Sequence, residues 1–72
     1  MDLETAVKKF EAANPYRKVV GYWETKEGFV LLSDSNGSIG TTLFLVRSDK
    51  VEAVTPMRAK INPGKMKFYV NQ

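Results

Sequence analysis

Leu3, Ala6, Val7, Phe10 and Ala13 recur at three- and four-residue spacing, which sets them on one stripe of an amphipathic helix with Glu4, Lys8, Lys9 and Glu11 on the wet side. Asp2 stands where an N-cap is needed, and Glu4 suits the positive end of the helix dipole. Asn14-Pro15 ends the run, because a residue before proline is disfavoured in the α region. The spacing predicts a helix over residues 3–13.

Beyond Pro15 the period falls to two. Residues 18–24 and 28–33 are rich in β-branched and aromatic side chains, and Thr25-Lys26-Glu27-Gly28 between them has the composition of a turn, so the pair reads as a hairpin. A looser connection through Asn36-Gly37-Ser38 leads to a third strand, 41–47, and Ser48-Asp49-Lys50 turns the chain into a fourth, 51–55. A fifth short strand over 66–70 is compatible with the Asn62-Pro63-Gly64 turn before it. The expected fold is a single α+β domain: an N-terminal amphipathic helix packed on an antiparallel meander of four strands, or five.

Alternation assigns side chains to faces. Val20 and Tyr22 are expected opposite Val19, Gly21 and Trp23, Phe29 and Leu31 opposite Val30 and Leu32, and Phe44 and Val46 opposite Leu43 and Leu45. Both faces are therefore apolar, and one short helix covers only one of them. The other must meet the C-terminal segment (Met57, Ile61, Met66, Phe68), a second copy of the chain, or a dedicated partner, in that order of expectation. Trp23 is either a core residue lying over Gly21, the reading placed first, or the anchor of an interface if its face is left uncovered.

Composition narrows the chemistry. The 72 residues include neither histidine nor cysteine, which removes imidazole-activated nucleophiles, histidine general bases, disulfides and the usual structural zinc ligands. A chain of this length buries only about 60% of its unfolded surface and has a stability of roughly 3–5 kcal/mol, so the core must be well packed. Carboxylates at the turns, Glu24, Glu27 and Asp34, read as solvated. Asp34, Asn36 and Ser38 open like a calcium loop, but Ile39 stands where its glycine belongs and Leu45 where its bidentate glutamate belongs. The glycines at 37 and 40 lead into a strand-like run, which is the wrong context for a phosphate cradle. The expectation is a protein that is not an enzyme and takes no cofactor or metal. With neither a signal-like N-terminus nor a membrane-length apolar run, its expected location is cytoplasmic.

Charge is distributed unevenly. The first 52 residues hold seven basic and eight acidic side chains, whereas residues 53–72 hold Arg58, Lys60, Lys65 and Lys67 and no carboxylate. These cations alternate with Met57, Ile61, Met66, Phe68 and Tyr69. A solvated edge guarded by lysine is the first reading, an acidic protein partner the second, and a nucleic-acid surface that interleaves charge with stacking rings the third.

The order of amphipathic helix, Asn14-Pro15, the strand through Val19-Val20-Gly21-Tyr22-Trp23-Glu24-Thr25, the turn ending at Gly28, Phe29-Val30-Leu31-Leu32, and a hairpin from Leu45 to Val51 closing at Pro56 resembles a small immunity-protein family of bacterial polymorphic toxin systems. Small phage-encoded accessory proteins share the same character. The resemblance covers residues 3–56 and implies a non-enzymatic role in binding and neutralising a protein target; residues from Met57 onward depart from it. The resulting expectation is a bacterial or phage binding protein, with Trp23, Arg58, Lys60, Lys65, Lys67 and Tyr69 as candidate contact residues. Homodimerisation through the second sheet face and nucleic-acid binding by the basic segment are the alternatives.

Overall fold

The computed structural model describes residues 1–34 and 42–70. The turn, calcium-loop and phosphate readings of Asn36-Gly37-Ser38 and the residues around it lie outside that range. The helix α1 spans Leu3–Ala13 as its periodicity requires. The Thr5 side chain and backbone N–H hydrogen-bond the Asp2 carboxylate, the backbone bond measuring 2.8 Å, and together hold that carboxyl below its usual pKa. At the other end, the Asn14 N–H donates to the Phe10 carbonyl before Pro15 turns the chain away.

Four strands follow as a meander, β1 (Val19–Glu24), β2 (Phe29–Ser33), β3 (Thr42–Val46) and β4 (Val51–Val54). A fifth, β5 (Lys67–Phe68), does not extend the meander beyond β4. It pairs with the free edge of β1, so the sheet order is β4-β3-β2-β1-β5, antiparallel throughout. To get from one edge of the sheet to the other, residues 55–66 must cross a face. They do so through a one-turn helix α2 (Pro56–Ala59) and a 3₁₀ turn at Pro63–Lys65. Thr55 caps α2 rather than ending β4: its Oγ1 accepts from the Arg58 N–H at 3.2 Å, and Pro56 occupies the first helical position, where a missing N–H costs nothing.

This crossover answers which group covers the second face. Ala6, Val7 and Phe10 of α1 pack with Val19, Phe29, Leu31 and Val46 on one side of the sheet. On the other, Trp23, Val30, Leu43 and Leu45 are buried beneath Ala59, Ile61 and Met66 of the crossing segment. The C-terminal segment therefore fills the second face, the first of the three expected coverings, and a homodimer through that face would first have to displace it.

One alternation reading needs correction. The register passes from Val19↔Ser33 to Gly21↔Leu32, so Val20 is an extra residue in β1. The bulge moves Val19 to the helix side, with Tyr22, and separates it from Gly21 and Trp23. Strict period-two counting from Val19 fails at that residue and holds again from Gly21 onward. The bulge brings a short β-branched side chain under α1 at the start of the strand.

Gly21 is needed for close approach. A Cβ built there would collide with Sδ and Cγ of Met66, which lies across the glycine. Because the thioether is flexible, Gly21→Ala is expected to cost only about 1–2 kcal/mol, relieved by rotation of Met66. A urea titration checks the cost, and the Met66 methyl NMR resonance should move while those of Phe10 and Leu31 do not.

Candidate binding surface

The structure sorts the residues singled out by sequence into three environments. Trp23 is a core residue, 8% exposed, and its indole N–H donates to the Asn62 carbonyl at 2.9 Å. That bond ties the crossing segment to β1. As an interface anchor Trp23 is corrected, because the face it occupies is covered by Ile61 and Met66.

Arg58 belongs to a charge cluster at β4. Glu52 lies on the second face opposite Leu45 and is met by Lys50 Nζ at 3.3 Å, Arg47 Nη2 at 3.6 Å and Arg58 Nη2 at 3.8 Å. Arg47 also reaches Glu27 at 3.8 Å. Arg58 is largely exposed, so its pair contributes on the order of 0–1 kcal/mol, but the position is occupied by a carboxylate of the same chain. The segment's basic excess as seen from outside is therefore smaller than the sequence count.

Lys60 caps α2 in the left-handed conformation, φ 56°, with its N–H directed back to Met57 and Pro56 carbonyls, and its side chain is exposed. Lys65 ends the 3₁₀ turn and Lys67 begins β5. Among the described residues, none of these three lysines has a carboxylate within 4.0 Å.

Tyr69 is half-buried and packs against the helix-side core, and its N–H donates to the Val20 carbonyl at 3.2 Å. Its neighbour Phe68 is the ring left in solvent, 78% exposed; Val70 at 74% and Val20 at 37% are exposed as well. The cause is local: the cross-strand partner of Phe68 is Gly21, which offers no side chain, and the space over that glycine is taken by Met66. Of the four residues expected to fill the second face, Ile61 and Met66 do so, while Met57, 88% exposed, and Phe68 do not. Sequence reasoning chose Tyr69 over Phe68. Since Met66 and Phe68 share a strand face and Tyr69 takes the other, the register of β5 on β1 decides between them.

The surface at β5 thus combines an exposed ring, two lysines and a strand edge. A groove lined by Trp23, Glu24, Ile61, Asn62, Lys65 and Lys67 adjoins this surface, and two further grooves lie elsewhere. One of about 450 Å³ runs between the sheet and the crossing segment, lined by Trp23, Leu32, Leu43, Val54, Ile61 and Met66, with no titratable group in its wall. The other lies between α1 and Tyr69–Val70 and carries Asp2, Glu4 and Glu11. Asp2 is engaged in capping, and Glu4 pairs with Lys8 at 3.3 Å. Among the described residues, no cluster of three or more histidine, cysteine, aspartate or glutamate side chains could hold a metal, and no helix is long and apolar enough to cross a membrane.

Neither a protein-family model, nor a curated protein, nor a solved structure matches the chain.

Proposed function

We propose that this chain is a non-enzymatic binding protein, cytoplasmic and of bacterial or phage origin, that engages a partner protein through the surface around β5. The observation that supports this most is Phe68, a large ring held in solvent on β5 next to the exposed Lys67 and three residues from the exposed Lys65. A domain this small gains by burying such a ring in its own core, and exposed aromatics on a rigid scaffold are the groups from which interface hot spots are made. The helix laid across an antiparallel sheet agrees with the architecture that the immunity-protein resemblance implied, and that resemblance suggests a toxin as the partner. The β5 surface lies beyond the residues that carry the resemblance, so the contact is assigned from chemistry and not by transfer.

Nucleic acid is the second reading, favoured by the juxtaposition of an exposed ring with lysines that have no carboxylate within 4.0 Å among the described residues. It is ranked lower because Arg58 is engaged by Glu52 and Tyr69 packs against the core, which leaves Phe68 as the exposed ring of the described basic segment and Lys60, Lys65 and Lys67 as its cations. A few phosphate contacts give binding that fades near physiological salt, about 0.15 M.

Both readings meet one test. With a photoreactive benzoylphenylalanine in place of Phe68, irradiation in a lysate of the source cell should give a discrete protein adduct that excess wild-type protein competes away and the Phe68→Ser protein does not. Adducts predominantly to nucleic acid, lost when Lys65 and Lys67 are changed to glutamine, would replace the protein reading with the second. Competition by Phe68→Ser equal to that by wild type would remove Phe68 from the interface.

A further inference from the structure

We infer that the outer edge of β5 receives an extended strand from the partner, one that alternates apolar with acidic residues. This rests on the protein-binding reading above and specifies its mode. In the antiparallel β1–β5 pair, the Tyr69 N–H is directed inward to the Val20 carbonyl. Backbone groups along a strand alternate in direction, so the N–H and C=O of Phe68 point outward, away from β1. β5 is the terminal strand of the sheet, and its outward groups are those a strand needs for β-augmentation.

The two edges of the sheet are treated differently. At β4, Glu52 is surrounded by Arg47, Lys50 and Arg58, a clustering of charge that guards an edge against pairing. At β5 the guard is Lys67 and the shortness of the strand, but the same strand displays Phe68 in solvent. Its lysines are unpaired among the described residues, so a partner strand can supply what they lack. Apolar side chains on the incoming strand would lie beside Phe68, and carboxylates on its alternate positions would reach Lys67 and Lys65.

Charge also argues against a second copy as the occupant. Pairing β5 with its own twofold mate would bring Lys65 and Lys67 of both chains to one seam with no carboxylate of the segment to separate them, since residues 53–72 contain none. An acidic strand meets the opposite condition.

The experiment uses a short acetylated peptide alternating valine with glutamate, and a control alternating valine with lysine. Titrated into the full-length protein, the acidic peptide should shift the amide resonances of Lys67 to Val70 saturably, with affinity falling as salt rises, while the lysine peptide shifts nothing. A synthetic full-length protein bearing N-methylphenylalanine at position 68 keeps the ring and removes the outward donor, and its affinity for labelled acidic peptide should fall about tenfold or more. The Lys65→Glu/Lys67→Glu double variant, altered only at exposed side chains, should exchange its preference to the lysine peptide. Absence of binding, shifts mapping elsewhere, or unchanged affinity after N-methylation would each overturn the strand-pairing mode. If the N-methylated protein still competes for the cellular photo-adduct while Phe68→Ser does not, the protein-binding reading stands and only the strand mode falls.

Discussion

Trp23→Ala is expected to unfold a large share of the population at 25 °C. Removing a buried indole costs about 3–5 kcal/mol through lost transfer energy and the cavity left behind, which is comparable to the whole stability expected of a domain this size. The loss is aggravated because the indole N–H also holds the Asn62 carbonyl, so the crossing segment loses its hydrogen bond along with its packing surface. Trp23→Phe separates the two effects. It retains a ring under Ile61 and Met66 but leaves Asn62 without its donor, and should cost about 1–2 kcal/mol. Far-ultraviolet circular dichroism during urea titration measures both. A shift below about 1 kcal/mol for Trp23→Ala would mean that the second face is not a working core.

Gly28→Ala is the second substitution with a large expected effect. Gly28 ends the β1–β2 turn with φ 150°, a conformation that side chains disfavour, and a Cβ there would overlap the backbone carbonyl of Val46 on the neighbouring strand. Backbone cannot rotate away as Met66 can. The backbone conformation alone costs on the order of 1–3 kcal/mol, and the overlap must also push β3 off β2 or distort the turn. Gly64→Ala is the matched control: its Cβ would approach only Asn62 Oδ1, at 3.4 Å, and Gly64 needs no positive φ. The expected result is a loss of more than about 2 kcal/mol at position 28 and less than about 0.5 kcal/mol at position 64, read from urea midpoints.

The elements that were legible in the sequence were those encoded by short-range pattern. The stripe Leu3, Ala6, Val7, Phe10 with Asp2 before it and Asn14-Pro15 after it specifies α1 to the residue. Two apolar faces on strands two and three are visible from alternation alone, and the structure keeps both assignments. The bulge at Val20 carried only an ambiguous mark, the isolated Gly21 beside it, which serves equally the close approach of Met66, and the pairing with Ser33 and Leu32 is what reveals it. The helix α2 did carry a signal: Thr55-Pro56 is a cap followed by a proline at the first helical position, here read as the end of a strand.

The candidate binding surface was only half legible, for a related reason. Charge counting pointed to residues 53–72, and Lys65 and Lys67 do stand in solvent. It could not show that Arg58 is engaged by Glu52, since that pair depends on α2 crossing back toward β4. Nor could it rank Phe68 above Tyr69, because their exposures follow from β5 pairing with β1 and not with β4. A register that sets Phe68 against Gly21 leaves the ring uncovered, and a shift of one residue would have reversed the two aromatics.

The central claim is that residues 56–70 are a fixed part of the domain, covering the second face and presenting β5 at its edge. Backbone ¹⁵N relaxation of the free protein tests it most directly. The account predicts monomeric tumbling for 72 residues, order parameters for Ile61 and Met66 to Phe68 near the rigid-backbone value of about 0.85, and slow exchange of the Trp23 indole proton. Order parameters below about 0.6 through that segment, with a rapidly exchanging indole, would contradict it and return the Trp23 face to the list of open surfaces.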